Sequence, residues 1–291
     1  LHGVYDSVKR VNVDGTQHLI DFTLQTKQKY FIFISSYSVM GDRENKQCAP
    51  FSEKDFDLRQ GFENKGYQKS KFEAEKMVRT TDNGLNWIII RPGNIFGDSE
   101  NGYYPFNITG VEGVFYDIFK TDIEKQFGMN NPMFFDITPV DFVSKGIIHL
   151  STSYKKIYET FHLVNPDKKR FFDVLYLLRE YGYDIELLSY KDYMHRIQRR
   201  QFTKDKKEYN SLTTDLIRFN PKIVECTFCS YADSEYTKKI LEKADIKCPE
   251  IDIDLINTYL DHCVSIGYIP HPEQETNQRS KNNHLHNLRI G

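Results

Sequence analysis

The residues of this 291-residue chain best suited to chemistry converge on one stretch. Tyr67 and Lys71 are spaced i,i+4, so on a helix the phenol and the ammonium share a face. A nearby cation favours the phenolate and lowers a tyrosine pKa that otherwise sits near about 10. That suits Tyr67 to donate a proton near neutrality. Ser36 could then hydrogen-bond the oxygen that receives the proton. Together, Ser36, Tyr67 and Lys71 would make a proton-donating, oxyanion-stabilising site for a carbonyl being reduced.

Spacing alone is a weak signal. The same pattern occurs at Tyr5/Lys9 and Tyr116/Lys120, and with 19 Tyr and 39 Lys+Arg about two or three such pairs are expected by chance. Context separates them. Tyr30-Phe31-Ile32-Phe33-Ile34 reads as a buried strand, Ser35-Ser36-Tyr37-Ser38-Val39-Met40-Gly41 as a serine-bearing turn, and Gly66-Tyr67-Gln68-Lys69-Ser70-Lys71 as the opening of a helix. An apolar, β-prone run ending in small hydroxyl residues is what a parallel strand looks like where its carboxyl end meets a ligand crevice. After the helix comes a second apolar strand, Asn86-Trp87-Ile88-Ile89-Ile90, running into Arg91-Pro92-Gly93-Asn94-Ile95-Phe96-Gly97. The other two Tyr–Lys pairs read as exposed helix pairs.

The remaining elements follow from periodicity and turn chemistry. Residues 6–26 read as a helix with Val8, Val11, Leu19, Ile20 and Phe22 on its buried face. Residues 42–64 read as a long polar loop arching over the site. In the helix from Tyr67 to Thr80, Phe72, Met77 and Val78 are the candidates for burial. Residues 115–127 form an aromatic helical run, read more readily as core than as a ligand cover. Residues 133–137 read as a short strand. Thr138-Pro139-Val140-Asp141 resembles a helix start with Thr138 as the cap, and the helix that follows shows Val143, Ile147, Ile148 and Leu150 for burial. Phe161 to Val164 is the last strand of the α/β layer. Beyond it the pattern is mainly helical, at residues 171–181, 190–199, 234–244 and 251–265, with a strand at 184–189.

Composition narrows the function. A net charge of −2 and a pI near 6.5 carry no polybasic footprint, which disfavours nucleic acid or an anionic membrane as partner. No apolar run approaches the roughly 18 residues a membrane span needs, so a cytoplasmic location is expected. Five cysteines without framework spacing fit reduced thiols. Cys226 and Cys229 have metal-ligand spacing but no second pair, so no metal site is expected.

Several of these stretches resemble the extended short-chain dehydrogenase/reductase superfamily: Val11-Asn12-Val13-Asp14-Gly15-Thr16, Phe33-Ile34-Ser35-Ser36, Tyr67-Gln68-Lys69-Ser70-Lys71 and Arg91-Pro92-Gly93-Asn94. Gly97-Asp98-Ser99, Ile137-Thr138-Pro139-Val140-Asp141-Phe142-Val143, Phe161-His162-Leu163-Val164-Asn165-Pro166 and Gly267-Tyr268-Ile269-Pro270-His271-Pro272 are similar to its thioester reductase family, the reductive release domains of polyketide synthases, nonribosomal peptide synthetases and aminoadipate or carboxylic acid reductases. The resemblance runs from about Val11 to about Pro272.

The resemblance implies an α/β fold, the carboxyl-terminal part of a Rossmann-like doubly wound parallel sheet, plus a mainly helical substrate subdomain. Residues 1–97 and 132–165 would form the first, residues 98–131 and 166–272 the second, and residues 273–291 a disordered tail. It also implies NADPH-dependent reduction of a carrier-bound acyl thioester to aldehyde or alcohol. Ser36, Tyr67 and Lys71 would be catalytic, and Asn12, Ser35, Lys71, Pro92, Gly93 and Asn94 would face the cofactor. The partners would be an acyl or peptidyl carrier protein with its phosphopantetheine arm and upstream synthase domains, with residues 196–207 a basic run that could meet an acidic carrier. Other extended reductase chemistries, such as fatty acyl-CoA reduction or nucleotide-sugar epimerisation, share the same three residues. An inactive relic acting only through protein contacts is a further alternative.

A nucleotide-binding α/β domain needs a glycine-rich turn after its first strand, so that backbone N–H groups can approach the pyrophosphate. The nearest glycine cluster, Gly110-Val111-Glu112-Gly113, follows the Tyr67 helix and does not fit that role. The phosphate loop and the first strands are therefore expected before Leu1, in a longer reductase. Residues 30–34 would then leave an open apolar edge in the isolated chain, which is expected to be poorly stable.

Overall fold

The computed structural model describes residues 5–25, 30–42, 50–63, 65–81, 84–106, 116, 119–120, 122–124, 126–130, 134–154, 156–189, 191–193, 195–196 and 231–273. The pairs Cys226/Cys229 and Gly110/Gly113, most of the basic run at 196–207 and the polar tail beyond Glu273 lie outside them. The chain divides into two units, one of Leu1–Phe96, Asp136–Lys168 and Cys226–Glu250, the other of Gly97–Phe135, Lys169–Glu225 and Ile251–Gly291.

In the first unit the helices are α1 (Tyr5–Lys9), α2 (Gly15–Leu24), α3 (Gly66–Thr80) and α4 (Val140–Thr152). Its strands are β1 (Tyr30–Ile34), β2 (Asn86–Pro92) and β3 (Ile95–Phe96). In the second unit lie β4 (Phe127–Met129) and β5 (Phe134–Phe135), and the chain returns to the first with β6 (Thr138–Pro139) and β7 (Glu159–Leu163). The second unit resumes with β8 (Lys169–Arg170), α5 (Phe171–Tyr181) and β9 (Glu186–Leu188); α6 (Glu235–Glu242) belongs to the first unit and α7 (Ile253–Ser265) to the second.

The architecture of the first unit follows from side-chain alternation. Strands β1, β2 and β7 are parallel in that order, with Phe31 opposite Trp87 and Ile90 opposite Phe161. Successive side chains point to opposite faces, so the apolar run of the central strand β2 serves two cores. On one face Phe31, Phe33, Trp87 and Ile89 pack with Ile20 of α2 and Ala74 and Val78 of α3. On the other, Ile88, Ile90, Phe161 and Leu163 pack with Phe142, Val143 and Leu150 of α4 and Leu241 of α6. Helices on both faces of a parallel sheet make this the doubly wound α/β arrangement expected from the sequence. By pattern residues 234–244 group with the later helices, but Thr237 accepts the His162 N–H at 3.0 Å and so seats α6 against β7.

Three local expectations change. A π-turn, Arg10–Asp14, joins α1 to α2, with the Gly15 N–H donating to Arg10 O. The extra residue in that turn brings both Asn12 and Val13 inward, and the buried stripe continues as Thr16 and Ile20. Val11, Leu19 and Phe22, expected inside, are 72%, 58% and 57% exposed. Thr138 does not cap α4, because its hydroxyl is committed to the Asp136 carboxylate at 2.7 Å and the residue lies in β6, paired with β3. Ile148 is exposed, and Gly146 takes the inward place, where an added Cβ would lie 2.7 Å from Leu163.

The second unit is small and aromatic. Strand β4 runs parallel to β9, and β5 antiparallel to β8. Tyr116, Phe119, Ile123 and Phe127 are buried, so the described apolar residues of the run at 115–127 supply core. Tyr116 is therefore not part of an exposed pair with Lys120; its phenol oxygen accepts the Gly97 N–H at 3.1 Å. Helix α7 starts where the Asp252 side chain accepts the Leu255 N–H at 3.0 Å.

Between α3 and the sheet lies a charged pair with no solvent exposure. Arg91, near the end of β2, donates to Glu75 of α3 from Nη2 at 2.6 Å and from Nε at 3.1 Å, and both residues are 0% exposed. Glu75 also accepts from Arg79 Nε at 2.9 Å and from Ser35 Oγ at 2.7 Å. Removing one member of such a pair strands the other. Arg91→Met is expected to lower the free energy of unfolding by about 3–5 kcal/mol, and Arg91→Met/Glu75→Leu to cost less than Arg91→Met alone. Urea unfolding of Arg91→Met, Glu75→Leu and the double variant checks this, and a double variant that costs the sum of the two single substitutions would show that the pair is not coupled.

Candidate active site

The site is built at the carboxyl ends of β1, β2 and β7. Ser35 N donates to Ile90 O at 2.7 Å, which carries the pairing of β1 with β2 one residue past the strand. The Ser35 side chain turns inward to Glu75, so its hydroxyl serves the interior. At Ser36 the chain leaves the sheet and begins a single 3₁₀ turn, Tyr37–Met40. Ser36 Oγ accepts the Ser38 N–H at 3.2 Å and lies 2.8 Å from Ser38 Oγ. Accepting from the backbone leaves the Ser36 proton to be given to Ser38 or to a substrate oxygen. The turn is buttressed by the loop 50–63: Gln60 Nε2 donates to Val39 O at 2.8 Å, and Asp42 and Gly61 exchange backbone hydrogen bonds of 2.9 and 2.7 Å. Gly41 (φ +51°) faces this loop so closely that an added Cβ would lie 2.7 Å from Gly61 O.

Tyr67 is half-buried in the first turn of α3. One turn on, Lys71 Nζ donates to Ile34 O at 2.9 Å and lies 5.4 Å from the Phe33 ring centroid. Burial lowers the Lys71 pKa, and the Glu75 carboxylate one turn further opposes the shift. The cation thus sits where β1 gives way to Ser36. Asn12, brought inward by the π-turn, donates from Nδ2 to Ser70 Oγ at 2.9 Å, and Ser70 Oγ donates to Tyr67 O at 2.7 Å. Asn12 therefore supports the turn of α3 that bears Tyr67 and Lys71. Tyr5 bonds elsewhere, its phenol donating to Glu73; burial and this bond together raise its pKa to about 12.

The third strand end contributes the turn at Pro92, Gly93 and Asn94. Gly93 N donates to Leu163 O at 2.9 Å, and Asn94 N donates to Asp136 Oδ2 at 2.6 Å. Tyr37, from the Ser36 turn, donates a longer bond of 3.3 Å to Asn94 Oδ1. Burial raises the pKa of the Tyr37 phenol, reinforced by the Asp136 charge. Ser36, the Tyr67 helix turn, Lys71 and the Gly93–Asn94 turn are thereby tied to the carboxyl end of one parallel sheet. An ammonium with three donors, one of them spent on Ile34 O, fits the vicinal hydroxyls of a nucleotide ribose. Among the described residues no group of three or more His, Cys, Asp or Glu could hold a metal ion, and no helix is long and apolar enough to cross a membrane.

Beneath this layer lies a polar interior that sequence reasoning missed. Arg91 Nη1 donates to Asp55 O at 2.9 Å and to His162 Nε2 at 3.1 Å. His162 Nδ1 faces Asp233 O at 2.7 Å; a carbonyl only accepts, so Nδ1 carries the proton and Nε2 accepts from Arg91. Thr237, which receives the His162 N–H, donates in turn to the buried Glu53 at 3.0 Å. The acidic residue at 75 and the histidine within an apolar strand were the available signals, but their burial depends on three elements distant in sequence.

A parallel sheet wrapped on both faces, with a serine turn and a Tyr–Lys helix at its carboxyl edge, defines an α/β protein of the extended short-chain dehydrogenase/reductase type. The chain belongs to the NAD-binding family described as Male sterility protein, whose profile matches residues 1–147. It is 28% identical over 269 residues to a linear gramicidin synthase polypeptide of Brevibacillus parabrevis, covering 91% of this chain and 5% of that protein. It is 25% identical over 293 residues to the L-2-aminoadipate reductase large subunit of Candida glabrata, covering 92% of this chain and 20% of that one. Among solved structures, the terminal R domain of the myxalamid PKS-NRPS pathway superposes with a TM-score of 0.80 at 28% identity, over 92% of this chain and 66% of that domain. A thiolation-reductase di-domain from an archaeal non-ribosomal peptide synthetase gives 0.67 at 25% identity, over 90% and 64%. The chain thus spans a small fraction of these synthases and about two thirds of the solved reductase chains.

The His162 ring gives the site's support a pH dependence. Burial, aided by the charges of Arg91 and Arg79, pushes its pKa down to about 3. Between the ordinary value near about 6.5 and that value, the unfolded chain takes up a proton that the folded protein does not. The histidine's contribution is therefore complete above about pH 6.5 and is lost as pH falls. The stability advantage of wild type over His162→Gln is expected to shrink on acidification by up to about 1.4 kcal/mol per pH unit. Urea titrations at several pH values check it, and a difference independent of pH would contradict the assignment of a neutral, buried ring.

Proposed function

We propose that this chain carries the catalytic groups of an NADPH-dependent reductase that releases an acyl chain held as a thioester on the phosphopantetheine arm of an acyl or peptidyl carrier protein. The observation that carries this reading is the bond from Lys71 Nζ to Ile34 O. It pins the opening of α3, with Tyr67, to the strand end that runs into Ser36. The similarity to reductase domains of peptide and polyketide synthases supports the thioester as substrate. The reductase would work in the cytoplasm, downstream of the synthase domains that build the chain.

When bound, the cofactor supplies a hydride to the thioester carbonyl carbon. The protein's task is to manage the charge that develops on the carbonyl oxygen. Tyr67 gives that oxygen its phenolic proton, and the Lys71 cation stabilises the phenolate left behind. Ser36 donates a hydrogen bond to the same oxygen as it becomes negative. Lys71 would also hold the nicotinamide ribose, and the turn at Pro92, Gly93 and Asn94 would pass beside the ring. Asn12 acts through Ser70 to hold the helix turn in place. The resulting thiohemiacetal loses the carrier's thiol as its C–S bond breaks, giving the aldehyde. A second hydride and proton would give the alcohol.

Tyr67→Phe, made in the full polypeptide that bears this chain, is expected to slow NADPH oxidation with an acyl-pantetheine thioester by at least about 10²-fold. Affinity for NADPH, followed by its fluorescence, should stay within about twofold of wild type, since the phenol acts on the substrate oxygen. Undiminished turnover in Tyr67→Phe would remove the phenol from its role. Turnover of nucleotide sugars in place of thioesters would assign the site to another chemistry of the superfamily.

A further inference from the structure

Three strand-end segments converge on a single carboxylate that the proposed mechanism does not use. Asp136 Oδ2 accepts the Asn94 N–H at 2.6 Å; Oδ1 accepts the Thr138 hydroxyl at 2.7 Å and the Asn165 N–H at 3.3 Å. Asn94 and Asn165 follow β2 and β7, and Thr138 lies in β6. The clasp is closed by a second set of bonds: Thr138 N donates to Asn94 O at 3.0 Å, and Asn165 N to Thr138 Oγ1 at 2.9 Å. Asp136 also packs against Gly93, where an added Cβ would stand 2.1 Å from Oδ2. Glycine at 93 therefore admits the carboxylate from within the protein. Through Asn94 the clasp reaches Tyr37, whose backbone directly follows Ser36.

We propose that Asp136 is a positioning residue for the cofactor: it fixes the Gly93–Asn94 turn against which the nicotinamide would lie and, through Asn94 and Tyr37, fixes that turn relative to Ser36. This rests on the functional reading above. The geometry carries the role, and the carboxylate's energetics set what its removal should do to stability. The three donors to Asp136 are neutral, and burial raises its pKa to about 6. Above that pH the ionised form is held at a cost to folding, because the unfolded chain ionises more readily.

Asp136→Asn keeps the shape and removes the charge, but an amide accepts on one arm only, so the three donors can no longer all be served. In the full polypeptide at pH 8, we expect its NADPH dissociation constant, from fluorescence titration, to rise about tenfold, while the thermal midpoint stays equal to or above that of wild type. Tyr37→Phe, which removes the phenol that reaches Asn94, should weaken NADPH binding in the same direction, by about threefold. Unchanged NADPH affinity in Asp136→Asn, with wild type binding normally, would overturn the positioning role and leave the functional reading standing. A fall in thermal midpoint that accounts for the lost affinity would make Asp136 a structural residue. Failure of wild type to bind NADPH or NADH would overturn the functional reading and this inference together.

Discussion

The buried pair of Arg91 and Glu75 is the interaction on which the rest of the first unit depends. A guanidinium and a carboxylate taken wholly out of water recover the desolvation cost only with near-complete hydrogen bonding and good geometry. Here the carboxylate receives Arg91, Arg79 and Ser35, while the Arg91 guanidinium also bonds Asp55 O and His162. These partners come from different places: α3, the end of β1, the loop 50–63 and β7. Satisfying two charges thus fixes the relative placement of the three sheet strands, the Tyr67 helix and the loop that buttresses the serine turn. Apolar packing could give the same cohesion, but it would leave helix rotation and sliding less sharply specified.

Rotation of α3 matters because of what that face carries. Tyr67, Lys71, Glu75 and Arg79 recur at intervals of four and lie along one side of the helix. The inner end of the series is locked by the buried ions, and the outer end presents the phenol and the ammonium. Lys71 stands between, donating to the last carbonyl of β1 and facing Glu75 one turn away. The lock and the candidate catalytic pair are therefore parts of one helical stripe, and a shift of the helix that disturbed Tyr67 would first have to break Glu75 from its partners.

Much of this is legible in the sequence, and the failures have physical causes. The apolar runs at 30–34 and 86–90 reveal both strands, and the second is apolar on both faces because β2 lies between β1 and β7. The Tyr–Lys spacing and the serine turn reveal the candidate site, since a single helical turn and a single strand end contain them. The buried face of the first helix is not legible, because one extra residue in the π-turn shifts every later side chain by about 100° of helical rotation, and no residue type announces such a turn. The inward role of Ser35, the burial of Glu75 and the proton on His162 are illegible for a different reason. Each depends on a partner far away in sequence, Ser35 and Glu75 being 40 residues apart and Arg91 and His162 71 apart. Thr138 shows the same limit: its local pattern suits a helix cap, but Asp136 and Asn165 claim its hydroxyl.

Placing so much polarity at the carboxyl end of the sheet follows from how parallel strands end. The strands stop there while the chain still has to turn, and every N–H and C=O released from the ladder needs a partner in a region largely closed to water. In this protein side chains supply many of those partners: Asp136 for Asn94 and Asn165, Lys71 for Ile34, Gln60 for Val39 and Phe56, Asn165 for Ile137 and Pro249. Among the described residues, a lone buried side-chain atom, Asn257 Oδ1, lacks a partner, and it lies in α7 of the other unit. A strand end satisfied in this way leaves its turns little freedom to reorganise. Preorganisation of that kind is what the proposed reaction needs: a serine hydroxyl and a phenol held ready for one oxygen, with the ammonium beside the phenol, so that charge development would meet dipoles already in place.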